Sequence, residues 1–151
     1  MPRFETNRPV RHAAADMFDL VADVEKYPAF LPLCEGLVVR GREPQSDGRT
    51  ILIADMTVGY KVFRETFTSR VTLVPAEKFI HVSYLDGPFE HLDNRWTFLE
   101  TSDGRSTVNF FIDYAFRSRT LSLVMGAVFE RAVKKYTEAF EKRADQVYGA
   151  R

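Results

Sequence analysis

The last long proline-free stretch, Ser118 to Tyr148, constrains the fold more than any other part of this chain. Leu121, Met125, Val128, Phe129, Ala132, Tyr136 and Phe140 recur there at spacings of three and four, which places them on one face of an α-helix. At about 1.5 Å per residue, such a helix would run about 45 Å. An apolar face of that length needs a large cover. The chain ahead of it, from Leu37 to Phe116, alternates apolar and polar residues and is rich in aromatics. The expected arrangement is a curved sheet wrapped around the helix.

Residues 3 to 11 read as a short first strand interrupted by Pro9, which suits a sheet edge. Ala14, Met17, Phe18 and Val21 share one helical face and predict a helix over about 13 to 23. Pro28 and Pro32 then forbid an ordinary long helix and favour a short helical turn or a loop. From Leu37 the period becomes two. Pro44, Asp47 and Gly48 mark a turn, Ile51 to Val58 reads as a strand, and Gly59 marks a turn or bulge. Tyr60 to Val74, Phe79 to Leu85, His91 to Glu100 and Ser106 to Phe116 follow as strands, the last two joined by a turn in TSDGRS. Short turns between consecutive strands argue for an antiparallel meander, because parallel pairing needs crossovers of a dozen or more residues. The expectation is therefore an α+β domain spanning 1–151: about seven strands, two short helices after the first, and a long C-terminal helix.

Lys plus Arg and Asp plus Glu both number 21, so attraction of the whole chain to nucleic acid is weak and no DNA partner is expected. Arg117, Arg119 and Arg131 fall outside the i, i+4 pairs of the last helix and could form a local basic contact for ribosomal RNA or anionic lipid. His12, His81 and His91 have no metal-ligand spacing, Cys34 has no second cysteine, and no glycine-rich phosphate loop is present. No cofactor is expected to be required. The N-terminus has no apolar h-region and no run of eighteen apolar residues occurs, so a cytoplasmic location is expected.

MFDLVADVEKYPAFLPLC, DGPFEHLDNRWTF and AFEKRADQVYG, near the start, middle and end, resemble the coenzyme Q-binding members of the START, or polyketide cyclase-like, superfamily. Bacterial members are also named ribosome association toxins. The absence of a transit extension before Met1 suits a bacterial member. The resemblance implies a helix-grip fold with an apolar cavity between the sheet and the C-terminal helix. It also implies binding of ubiquinone or a polyprenyl precursor, with the protein acting as a quinone chaperone that supports respiration rather than as an enzyme. Two other functions remain open, a ribosome-binding regulator that blocks subunit association and an aromatase or cyclase-like enzyme.

Candidate ligand-binding residues follow from the pattern. Tyr27, Phe30, Leu31 and Leu33, pinned by Pro28 and Pro32, form either a semi-rigid lid that could touch the inner face of a membrane transiently or a plug for the open end of the sheet. Phe63, Phe67, Trp96, Phe110 and Tyr114 on the strands would face Met125, Val128 and Phe129 on the helix, as a packed core or as a cavity wall. A cavity is favoured by Gly126 inside the helix and by Glu65 in phase with Phe63 and Phe67, unless a bulge near Gly59 turns Glu65 outward. Asn94 shares parity with Trp96, so its amide would either meet a quinone oxygen or bond to neighbouring backbone. Ligand is expected beside the N-terminal half of the helix, around Met125, Gly126 and Phe129. The C-terminal half, with Tyr136 and Phe140, is expected to act as an anchor.

Overall fold

A computed structural model describes residues 3–102 and 104–149. Asp103, in the predicted TSDGRS turn, lies outside the described residues. Strand β1 (Arg3–Val10) leads into helix α1 (Ala14–Ala22) and a 3₁₀ turn over Val24–Ala29. Strands β2 (Cys34–Pro44), β3 (Thr50–Tyr60), β4 (Phe63–Val74), β5 (Phe79–Asp86), β6 (Phe89–Ser102) and β7 (Arg105–Phe116) follow, and helices α2 (Arg119–Lys134) and α3 (Tyr136–Tyr148) close the described chain. The seven strands form one antiparallel sheet in the order β1-β7-β6-β5-β4-β3-β2, so the meander holds and α1 carries the chain from one sheet edge to the other.

Alternation decides the two faces. Val108, Phe110, Ile112 and Tyr114 of β7 and Leu92, Trp96 and Phe98 of β6 are buried against the helices. Their neighbours on the opposite parity carry the paired polar groups of the outer face, including His81 with Asp93 at 2.7 Å and His91 with Asp113 at 3.1 Å. Among the described residues no group of three or more His, Cys, Asp or Glu side chains could hold a metal ion. No described helix is long and apolar enough to cross a membrane.

Two local expectations are corrected. The C-terminal segment is two helices rather than one. Lys135 (φ −101°, ψ 0°) leaves the helical region, and its N–H turns back to the carbonyls of Ala132 and Val133. Neither Gly nor Pro marks this break, so no residue type announces it. Gly59, expected to mark a turn or bulge, lies inside β3 opposite Arg64, and the turn is Lys61–Val62, closed by Tyr60 opposite Phe63. The β3–β4 register is uninterrupted, so Glu65 stays in phase with Phe63 and Phe67 on the concave face.

The two C-terminal helices are held differently. Helix α3 is tied to the N-terminal elements by Arg8 to Glu141 at 2.7 Å, by buried His12 to Asp145 at 2.7 Å, and by the Tyr148 hydroxyl donating to the Asp16 carbonyl at 3.1 Å. Among the described residues α2 has no side-chain hydrogen bond or ion pair to the sheet, and its first turn is capped only by its own Ser118. Burial of Met125, Phe129, Ala132 and Val133 holds it in place. Helix α2 is therefore the less firmly held of the two.

Candidate functional site

A chamber of about 80 Å³ lies between the concave face and the helices. Its origin can be read from the β3–β4 ladder. The inward cross-strand pairs are Leu52 with Val71, Ala54 with Ser69, and Met56 with Phe67. The middle pair is small between two large ones, so the sheet floor is hollow there, since packed interiors leave few voids larger than a water. Val82, Leu92, Asn94, Trp96 and Ile112 continue the floor, Phe129, Tyr136 and Phe140 form the roof, and Val24, Tyr27 and Leu31 close one end.

The polar groups of the wall are few. Asn94 donates to the Phe111 carbonyl at 2.9 Å and accepts from Trp96 Nε1 at 3.0 Å. The Tyr27 hydroxyl donates to the Val21 carbonyl. Burial holds the Tyr27 and Tyr136 phenols well above the usual tyrosine range, so both stay protonated. The Ser69 hydroxyl is buried without a hydrogen-bond partner. Neighbouring Cys34 donates weakly to the Gly36 carbonyl at 3.7 Å, and burial lifts its thiol to about 11. No carboxylate, histidine or basic side chain lines the chamber among the described residues.

Six of the predicted site residues line the chamber: Tyr27, Leu31, Phe67, Asn94, Trp96 and Phe129. Phe110 is core, packed on Trp96 with ring centroids 4.6 Å apart. Tyr114 is also buried, against Phe129 at 4.9 Å, and faces a shallow groove on the far side of α2. Phe30 meets Phe140 edge-to-face at 5.1 Å and lines a separate surface groove with Lys135 and Arg143. Leu33 packs against the core without reaching the chamber, Met125 is buried away from it, and half-buried Val128 does not line it. Phe63 and Glu65 lie in a groove at the N-terminal end of α2 with Arg117, Leu121 and Val124.

The division of labour expected of the helix is corrected in the same way. Gly126 faces the far-side groove, not the chamber, and a Cβ there would meet Ser122 Oγ at an ordinary 3.8 Å. The chamber lies instead beneath Phe129, Tyr136 and Phe140, so α3 both anchors and lines it. Sequence reasoning missed Ala54 and Ser69, whose only signal is small size on the buried parity of strands whose other inward residues are large.

An aromatic cluster separates chamber from groove. Phe89 contacts Phe67 at 5.3 Å and Phe129 at 5.5 Å. Gly87 (φ +143°) lets the β5–β6 turn approach Phe67, because a Cβ there would come within 2.5 Å of the Phe67 Cβ. The Tyr27–Leu33 segment turns Leu31 inward and sets Tyr27 edge-to-face against Phe140 at 5.3 Å, closing the other end.

Comparison with known proteins agrees with this architecture. Residues 10–141 match the family model described as polyketide cyclase/dehydrase and lipid transport. The chain is 31% identical over 151 residues to the ribosome association toxin RatA of Escherichia coli K12, covering all of this chain and 92% of that one. It is 31% identical over 137 residues to the mitochondrial coenzyme Q-binding protein COQ10 homolog B of Xenopus laevis, covering 88% of this chain and 54% of that one. The solution structure of the 18 kDa protein CC1736 from Caulobacter crescentus is 33% identical with a TM-score of 0.79, covering 99% of this chain and 100% of that one. The Zhui aromatase/cyclase of Streptomyces sp. R1128 shares the fold at 20% identity and a TM-score of 0.80, covering 96% and 94%. With a hollow START-like sheet under two C-terminal helices and a match over most of its length, this chain belongs to the polyketide cyclase/dehydrase and lipid transport family.

Proposed function

We propose that the protein binds a ring-headed hydrophobic lipid, ubiquinone or a polyprenyl precursor, between the sheet and the C-terminal helices, and carries it to membrane enzymes. The observation that carries this reading is the apolar chamber, roofed by Tyr136 and Phe140 of the firmly tied α3 and by Phe129 of α2, which only apolar packing holds. Burial of prenyl carbons would supply affinity at about 0.8 kcal/mol per CH₂. The chamber is smaller than the pockets of about 300–1,000 Å³ that usually enclose such ligands. Loading therefore requires α2 to lift from the sheet, where it packs on β7, and open the Phe67–Phe89–Phe129 cluster. The exposed side chains Val62, at the β3–β4 turn, and Leu123, on α2, with Arg117 and Arg119 nearby in sequence and no ion-pair partner for either arginine among the described residues, are the surface assigned to transient contact with an anionic bilayer. The Tyr27–Leu33 loop is the weaker candidate for that contact, because its larger apolar side chains pack inward or on one another.

The chamber wall lacks a carboxylate or imidazole among the described residues, and burial keeps its phenols from acting as bases and makes them weak acids, so a carrier fits better than an aromatase or cyclase, which needs a positioned acid or base. The test is mass spectrometry of lipid extracted from protein purified from a quinone-producing host, with quenching of Trp96 fluorescence on adding ubiquinone. Repeated absence of quinone together with no quenching refutes the reading.

A second reading, ribosome binding, is favoured by the name of the full-length relative and by exposed Arg117, Arg119 and Arg131, none of which has a salt-bridge partner among the described residues. It requires cosedimentation with a ribosomal subunit that weakens as salt rises. Unaltered subunit sedimentation at low salt eliminates it.

A further inference from the structure

We infer that Ser69 is the specificity-determining donor of the chamber. It selects a ligand ending in a neutral carbonyl oxygen, which enters head first with its chain trailing between β4 and α2. The inference rests on the lipid-carrier reading and adds the chemistry and direction of the bound molecule.

Ser69 is 4% exposed, lines the chamber, and its hydroxyl has no hydrogen-bond partner. A buried hydroxyl left unpaired is a standing cost to the empty protein, and an acceptor placed beside it removes that cost. The other groups at the wall are engaged or differently placed. The oxygen of Asn94 is taken by Trp96, its amide by the Phe111 carbonyl, and the Tyr27 hydroxyl by the Val21 carbonyl. On the roof the Tyr136 hydroxyl makes no hydrogen bond among the described residues and is kept protonated by burial, so it can also donate. Two neutral donors with no cation beside them suit a ketone or quinone oxygen. They do not suit a carboxylate, which would enter without a counter-charge. The sheet is also irregular here, since the β4–β5 ladder slips between Thr68 and Ser69, a feature common beside binding sites.

The direction follows from the order of residues along β4. Phe63 and Glu65 line the outer groove, while Phe67, Ser69 and Val71 line the chamber. On α2, Leu121 and Val124 belong to the groove and Phe129 to the chamber. Groove and chamber are therefore successive stretches of one path between β4 and α2, about 20 Å from Phe63 to Ser69 at strand rise. The donor is at the inner end and the apolar side chains Phe63, Leu121 and Val124 are at the outer end, so a polar head fits inside and a hydrocarbon chain outside.

The test compares a short-chain ubiquinone with a ring-less isoprenoid hydrocarbon of the same tail length, each titrated by displacement of a bound fluorescent lipid probe. Ser69→Ala is expected to weaken ubiquinone about three- to tenfold, the range of one ordinary hydrogen bond. Hydrocarbon binding should change by less than about twofold, and thermal stability should hold or rise because an unpaired hydroxyl is removed. Ser69→Ala binding ubiquinone as tightly as the wild type, or losing both ligands equally, overturns the role of Ser69 while leaving the carrier reading intact. A wild-type protein that binds neither probe overturns both.

Discussion

Filling the hollow in the sheet should strengthen the fold and abolish cargo. Ala54 is buried, lines the chamber and lies opposite Ser69. In Ala54→Leu three carbons enter the void. Removing about 24 cal/mol per Å³ of cavity over the 80 Å³ present gives about 2 kcal/mol. Transfer of three methylene equivalents at about 0.8 kcal/mol each gives a similar figure. The two describe the same gain and are not added. Imperfect fit against Phe67 or Val71 would remove part of it, since overpacking typically costs about 1–3 kcal/mol. The expected net gain is about 1–2 kcal/mol, which for a domain of this size raises Tm by about 2–8 °C. Urea unfolding followed by Trp96 fluorescence, with the slope unchanged, measures the stability, and mass spectrometry of extracted lipid measures the cargo. A lower midpoint with an intact fold would show that the void is not fillable space. Wild-type lipid content in the stabilised variant would show that the ligand lies elsewhere.

Three further outcomes are expected. Gly126→Ala should stabilise α2 by about 1 kcal/mol, because the new Cβ meets only Ser122 Oγ at 3.8 Å; a drop in the urea midpoint would refute the open placement of Gly126. Burial raises Cys34 from 9.0 to about 11 and Tyr114 from 10.0 to about 12, so the folded chain holds these protons more tightly than the unfolded chain. Their contribution to stability is complete below about pH 9 and is lost as pH rises through the folded values; Cys34→Ala should flatten the urea midpoint between pH 9 and 11, and a wild-type curve already flat there contradicts the assignment. Replacing Val62 and Leu123 together by Ser should weaken flotation with anionic vesicles by about tenfold or more, at about 1.5 kcal/mol or more for a fully buried apolar side chain, and unchanged flotation would remove this surface from the proposed membrane contact.

The sheet and its covering helices were legible in the sequence because they rest on periodicity. In Val108, Phe110, Ile112 and Tyr114 a period of two separates the faces, and in Phe129, Ala132, Tyr136 and Phe140 spacings of three and four define one helical stripe. Periodicity assigns a side chain to a face but not to a depth within it. Phe110 and Trp96 share the concave face, yet Phe110 is filled core and Trp96 borders the chamber. The resemblance carried by the YPAFLP block led to the family, but it did not place the hollow.

Local spacing is enough to specify an antiparallel meander with one apolar face and a C-terminal apolar helical stripe to cover it. The break at Lys135, the uninterrupted β3–β4 register that keeps Glu65 inward, and the chamber over Ala54 and Ser69 emerge from packing between elements distant in sequence. Each of these depends on which residue of one strand or helix meets which residue of another. A small side chain becomes a cavity only when its cross-strand partner is also small and the helix above does not fill the gap.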